Sequence, residues 1–212
     1  MKNKFYLILT TIILLFTACG DNIKEKNISE KENNCTTKNI TKESNKSTLP
    51  CTKASPKEYN YVFEDLNKNS TTLHVKNDIY NFTNIKQPIV MVSFFSTWCP
   101  PCRGQIPHLT NLQKKFKNNL FILSALVHDD EDDEKLKKFT IAEKVMFFVS
   151  NNQKENLRFA HMITPKLGLK KDFPLPLMIL FVNGKYFTHY GSIMPEEMIE
   201  SDIKQLLEKI KK

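Results

Sequence analysis

Apolar positions divide the chain into three regimes. Residues 5–16 form an almost unbroken apolar run behind the basic segment Met1-Lys2-Asn3-Lys4. From residue 20 to about 58, Lys, Asn, Ser, Thr and Glu dominate, and large apolar side chains nearly vanish. From Tyr59 onward, apolar residues recur at strand and helix spacings. The third regime predicts a folded domain over 59–212.

Within that domain, residues 59–63 and 72–75 flank the polar stretch Asn67-Lys68-Asn69-Ser70 and predict a hairpin. Residues 89–95, bounded by Pro88 and Ser96, are apolar almost throughout, as a strand buried on both faces must be. Ile106, Leu109, Leu112 and Phe116 have helical spacing and predict a helix over 106–117. Further on, the pattern predicts a strand over 120–127, a helix over 131–144, a strand over 145–149 and a helix over 153–162. Asn183-Gly184 between the apolar runs 177–182 and 185–190 is a strong short hairpin signal. A last amphipathic helix over 195–211 places Met198, Ile199, Ile203, Leu206, Leu207 and Ile210 on one face. Strands alternating with helices predict an α/β fold, a mixed sheet with helices on both faces.

The first two regimes concern export. The apolar run has the length of a signal-peptide core and is shorter than the ~20 residues a membrane-spanning helix needs. It ends in Leu15-Phe16-Thr17-Ala18-Cys19, which resembles a bacterial lipobox and implies a lipoprotein signal peptide over 1–18 and a lipid on Cys19. Ordinary secretory cleavage and an uncleaved anchor are the alternatives, and each exports the domain. Residues 19–58 bury too little apolar surface to offset their ordering entropy and read as a flexible polar tether.

Composition narrows the class. Hydrophobic residues make up 41% and charged residues 25%, the mix of one globular domain rather than of a collagen or a disordered chain. Lys and Arg outnumber Asp and Glu by 31 to 23, for a net charge of +8. The lysines are interleaved with acids, and Arg103 and Arg158 stand alone, so the charge reads as a solvated surface and not as a nucleic-acid stripe. The acidic run from Asp129 to Glu134 lacks the spacing and glycine of a calcium loop and reads as acids entering a helix N-terminus. Met91, Met146, Met162, Met178 and Met194 are scattered, which favours core packing over copper handling.

Setting Cys19 aside leaves Cys35, Cys51, Cys99 and Cys102, an even number that permits two disulfides in an oxidising compartment. Cys35 and Cys51 lie in the tether, without an evident catalytic part. Cys99-Pro100-Pro101-Cys102 sits where a strand passes into a helix. Free amides and the dipole at a helix N-terminus stabilise an anion and draw a cysteine pKa from about 8.5 toward about 3.5–7.5. Cys99 is thus the expected exposed thiolate, and Cys102, one turn into the helix, is less exposed and close enough to close a disulfide onto Cys99. Pro100 and Pro101 suit the first helical positions but lack N–H groups for the thiolate. Half a zinc site and a plain structural disulfide are the competing readings; a structural zinc needs four ligands, no second Cys-x-x-Cys exists, and His108 is isolated.

Trp98-Cys99-Pro100-Pro101-Cys102 resembles the active site of thioredoxin-fold proteins of the exported TlpA/ResA-like branch. Pro107, Pro176 ahead of the run from Leu177, the Asn183-Gly184 turn and Gly191 agree with that family's pattern. The resemblance implies a thioredoxin fold with an N-terminal β-hairpin and a central helix–strand insertion within 128–168. It implies a thiol–disulfide oxidoreductase with Cys99 as the catalytic nucleophile and Cys102 as the resolving thiol, supported by Trp98, Pro100, Pro101, Gln105, Leu175 and a cis-Pro176. It implies no metal and no cofactor beyond the Cys99–Cys102 disulfide. The partners it implies are client proteins with disulfides or dithiols, as in cytochrome c or copper-site maturation, and a membrane thiol reductant. A disulfide-forming oxidase or isomerase, and a copper- or protein-binding module, are the alternative functions. Two positions depart from the family: Ser93 and Gln105 stand where relatives carry a buried acid, and neither titrates near neutral pH.

Overall fold

The computed structural model describes residues 58–211. The expectations for the signal peptide, Cys19, Cys35, Cys51 and the tether lie outside the described residues.

In chain order the elements are β1 (Glu58–Glu64), β2 (Ser70–Lys76), β3 (Ile79–Phe82), β4 (Ile89–Phe95), α1 (Pro100–Lys115), β5 (Leu120–Leu126) and α2 (Asp133–Ala142). They continue with β6 (Phe148–Ser150), α3 (Gln153–Ile163), a 3-10 turn (Thr164–Leu167), β7 (Leu177–Val182), β8 (Lys185–Tyr190) and α4 (Glu196–Ile210). The eight strands among the described residues join one sheet in the order β1-β2-β3-β8-β7-β4-β5-β6.

Every residue of β4 is buried. A strand with that pattern needs a neighbour at each edge and cover on each face. β5 pairs with it in parallel and β7 in antiparallel. On one face Ile89 and Met91 pack with Leu109 and Leu112 of α1 and with Ile199, Ile203 and Leu206 of α4. Tyr190 of β8 donates its hydroxyl to Asp202 of α4 at 2.5 Å, and burial together with this carboxylate holds its phenol well above the usual range.

On the other face Val90, Val92 and Phe94 meet α3 and the strands β1–β3. Phe159 of α3 is the hub, with its ring 5.2 Å from Tyr61 and 5.8 Å from both Phe63 and Phe94. The sheet curls around this helix until its edges touch. Asn151 donates its N–H to the Glu64 carbonyl at 3.0 Å, and Asp65 bridges Ser150.

Four expectations change. The expected N-terminal hairpin is present as β1–β2 and extends into a three-stranded meander, because Asn77 (φ 50°) and Asp78 (φ 58°) turn the chain again into β3. Asn and Asp tolerate that left-handed backbone better than other side chains. β3 then reaches Gly184, whose φ of +75° and a Tyr80 carbonyl only 3.0 Å from any added Cβ both demand glycine. The strand expected over 145–149 begins only at Phe148, since Lys144 (φ 54°) carries a turn around the outside, and Met146 is exposed rather than in the core. Met198 is exposed too: its helical row continues through Ser201 and Asp202, beside the apolar row of Ile199, Ile203 and Leu206.

These placements separate two substitutions that look alike in sequence. Phe159→Ala is predicted to lower the unfolding free energy by about 3–5 kcal/mol, by removing the ring that joins the meander to the sheet. Met198→Ala is predicted to change it by less than about 0.5 kcal/mol. Denaturant unfolding of both variants measures the contrast, and comparable losses would contradict this packing.

Candidate active site

The strand-to-helix junction places the cysteines. Cys99 caps α1 (φ −83°, ψ 109°), with Pro100 and Pro101 in the first two helical positions. Its carbonyl accepts the Arg103 N–H at 3.1 Å, and its own N–H donates to Ser96 O at 3.2 Å. Cys102 lies one turn on, disulfide-bonded to Cys99 across a Cα separation of 5.3 Å, within the span such a bridge requires. The first turn of α1 carries no acid and its last turn carries Lys114 and Lys115, so no carboxylate of its own neutralises the positive end. With prolines at the first two positions, the first amide of the helix able to donate is that of Cys102.

A loop that crosses from β5 holds the segment before Cys99. Ser96 Oγ donates to Val127 O at 2.5 Å, Thr97 N–H to Asp129 Oδ2 at 2.5 Å, and Trp98 Nε1–H to His128 O at 2.7 Å. Asp129 is buried, and its other oxygen accepts the Glu131 N–H at 3.1 Å. Gln153, at the start of α3, clasps its backbone: Oε1 accepts the Asp129 N–H at 3.1 Å, and Nε2 donates to Asp129 O. Asn156, fully buried, donates to Leu126 O at 2.9 Å and Ser150 O at 3.0 Å and so pins the end of β5.

Reading Asp129 as one of several acids entering a helix is therefore corrected. Asp132 caps α2 by accepting the Lys135 N–H at 2.8 Å, and Asp133 and Glu134 occupy its first turn. Asp129 turns inward because a bare Thr97 amide needs an acceptor there. Nothing in its spacing within the acidic run distinguishes it.

The third wall is the turn before β7. The Leu175–Pro176 bond is cis, Pro176 is buried, and the Leu175 carbonyl oxygen lies 3.8 Å from Cys99 Sγ. Cys99 is 5% exposed and Cys102 2%. The expected exposed nucleophile is thus corrected to a covered one, packed with Phe95, Leu126, Leu136 and Val149 under Leu175. The exposed group is Trp98, at 63%.

Other residues flank the pair. Arg103 donates Nε–H and Nη2–H to Glu143 Oε1 at 3.0 and 2.7 Å, and its guanidinium lies over the Phe139 ring. Pro107 falls inside α1, and Gly104 admits Ile193, whose Cδ1 would lie 3.0 Å from an added Cβ. Gln105 is buried, with Oε1 accepting the Met194 N–H at 2.7 Å. Gln105, Ser93, Cys102 and Pro176 line one small cavity. His108 reaches toward Glu196 of α4, 3.7 Å away, rather than toward the cysteines. Among the described residues no three His, Cys, Asp or Glu side chains group as metal ligands.

Comparison with known proteins agrees with this geometry. A model of the AhpC/TSA family matches residues 63–180, from β1 to β7. The thiol-disulfide oxidoreductase ResA of Halalkalibacterium halodurans is 25% identical over 149 residues, covering 70% of this chain and 74% of ResA. Thioredoxin H5 of Arabidopsis thaliana is 36% identical over 50 residues, 24% of this chain, and the chain spans only 42% of that protein. Among solved structures, a thiol:disulfide interchange protein of Chlorobium tepidum superposes with a TM-score of 0.55 at 18% identity, covering 74% of this chain and 99% of that one. With more than half of its length inside the family match and a Cys-x-x-Cys pair between β4 and α1, the chain belongs to the AhpC/TSA family, and its domain is a TlpA/ResA-like thioredoxin fold.

Proposed function

We propose that this protein is an exported, lipid-anchored thiol–disulfide oxidoreductase that reduces disulfides in client proteins. The observation that carries the reading is the Cys99–Cys102 pair at the start of α1, one turn apart and facing the Leu175 carbonyl. The dithiol form attacks through the Cys99 thiolate, which the helix N-terminus favours. Cys99 Sγ bonds one sulfur of the client disulfide, and the other sulfur leaves as a thiolate and takes up a proton. Cys102 then gives up its proton and attacks Cys99 Sγ, the Cys99–client bond breaks, and the second client sulfur leaves. The client has gained two electrons and two protons, and Cys99–Cys102 is oxidised. A membrane thiol reductant returns both electrons and protons.

Each neighbouring group has a part in this sequence. Trp98, exposed beside Cys99, offers a ring for the client to cover, and its indole N–H is already tied to the loop behind it. The covered Cys99 restricts attack to disulfides in an extended segment laid along Leu175. No metal or small molecule enters any step. The apolar run ending at Cys19 supports export and a lipid anchor, the likeness to ResA supports thiol–disulfide exchange, and the resemblance of Trp98–Cys102 to the TlpA/ResA-like motif supports the reducing direction and clients such as apocytochrome c or copper-site proteins.

Two sets of variants test the reading. Cys99→Ser is predicted to abolish reduction of insulin, whereas Cys102→Ser traps a mixed disulfide with its client. Trapping by Cys99→Ser alone would reverse the two roles. A Cys99–Cys102 potential near about −270 mV fits a reductase; one near about −120 mV would make the protein an oxidase. Asp129→Ala is predicted to lower turnover about tenfold, since the Thr97 amide loses its acceptor and the motif loosens. Asp129→Asn, which keeps an acceptor oxygen, is predicted to retain turnover within about threefold. Equal losses in the two variants would show that the Thr97 hydrogen bond is not what Asp129 supplies.

A further inference from the structure

Two polar residues interrupt strands that are otherwise apolar. Ser93 is the polar position of β4 and Ser124 that of β5, and the parallel register pairs them directly. Both are buried, at 1% and 2% exposure. Gln105 approaches from α1, itself 1% exposed. Its Oε1 accepts the Met194 N–H at 2.7 Å, which settles the amide's orientation, because a flipped amide would set two donors against each other. Nε2 therefore points away from Met194, and it has no hydrogen-bond partner in the protein. A buried donor in that condition is costly and calls for an acceptor.

One cavity joins these groups. Ser93, Ser124, Gln105 and Cys102 line it, with Pro176 and apolar side chains making up its walls. Its volume of about 10 Å³ is room for a single water. A water there has one amide donor and two hydroxyls available, and buried waters ordinarily make about three hydrogen bonds. Among the described residues no Asp, Glu, His, Lys or Arg lines the cavity, and Cys102 is the titratable group in it.

We propose that this cavity is a water site, held by Gln105 Nε2 and the hydroxyls of Ser93 and Ser124, and that its water carries the proton of the Cys102 thiol. The proposal rests on the oxidoreductase reading and deepens its resolving step. As Cys102 Sγ attacks Cys99 Sγ, the thiol proton passes to the water. The water passes a proton on to solvent, the Cys99–Cys102 bond forms, the Cys99–client bond breaks, and the leaving client thiolate takes up a proton from solvent, so no net proton is gained or lost. When the disulfide is reduced again, the water returns a proton to Cys102. Water and hydroxyl groups both donate and accept, so the path works without a carboxylate. Ser93, Ser124 and Gln105 are positioning residues: they act through the water and bond no substrate.

Rapid mixing of the fully reduced chain carrying Cys19→Ser, Cys35→Ser and Cys51→Ser with Ellman's disulfide separates the two chemical steps, because Cys99 and Cys102 are then its two thiols, Cys99 releasing the first aromatic thiolate and Cys102 the second. Ser93→Ala with Ser124→Ala is expected to slow the second release about tenfold, while the first stays within about twofold. Gln105→Glu keeps the acceptor for Met194 and the side-chain size but places a poorly solvated carboxyl in the cavity. It is expected to give the second release a pH inflection in the range of about 5–8 that the parent lacks. Thermal unfolding of each variant is followed alongside, and an alanine pair that unfolds leaves the decision to Gln105→Glu. Second-phase rates and pH profiles that superimpose on the parent's, or an equal loss in both phases, would overturn the water site. A parent that shows no second phase and reduces no insulin would instead overturn the oxidoreductase reading itself.

Discussion

The site depends on a strand with nowhere to go but into a helix. β4 is buried at every position, with β5 and β7 on its edges and a hydrophobic layer on each face. Its seven residues leave no freedom of register, since a slip of one would exchange Ile89 and Met91 with Val90 and Val92 between two packed layers. The end of the strand is therefore fixed in space to within a side chain. After four intervening residues the chain begins α1, and the cysteines inherit that precision. A flexible loop could bring two thiols together, but it could not hold Cys99 at a helix N-terminus and against the Leu175 carbonyl at once.

The same rigidity explains how three distant segments converge. The polypeptide around Ser96–Trp98 is short and has few partners of its own, so the Ser96 hydroxyl, the Thr97 amide and the Trp98 indole donate outward to Val127, Asp129 and His128. Those residues are held in turn by Gln153 and, through the end of β5, by Asn156, both on α3. α3 is locked by Phe159 between the sheet and the meander. The N-terminal strands are thus tied through α3 to the segment that carries the redox pair, and Leu66, in the turn after β1, packs against the cluster that holds both cysteines.

Legibility in the sequence followed the range of the interaction. β4, β5 and β7 were readable because burial on both faces leaves a continuous apolar run, a signal carried within one strand. The Cys-x-x-Cys pair was readable because its chemistry needs a spacing of one helical turn. β3 was missed: four alternating residues behind an Asn-Asp turn make too short a pattern, and its pairing is decided by β2 and Gly184. Asp129 was misread because five acidic neighbours share its local character, and only the Thr97 amide distinguishes it. The burial of Cys99 was hidden for a similar reason, since the carbonyl that covers it comes from Leu175, 76 residues away.

Ser93, Ser124 and Gln105 show what a core can do with polarity that carries no charge. A carboxyl beside a buried thiol couples two titrations, so its proton affinity shifts as the thiolate forms, and the pair responds to external pH together. Hydroxyls and an amide have no such titration near neutrality, and a water held among them offers a path whose readiness does not depend on pH. The cost differs as well. An ionised carboxylate taken out of water must be repaid by partners, whereas neutral groups need only hydrogen bonds. Pairing Ser93 with Ser124 across adjacent strands places two such groups on one face of an otherwise apolar sheet, opposite the one buried amide of α1. The core thereby keeps its dry packing on both sides of β4 while leaving, next to Cys102, a single wet point.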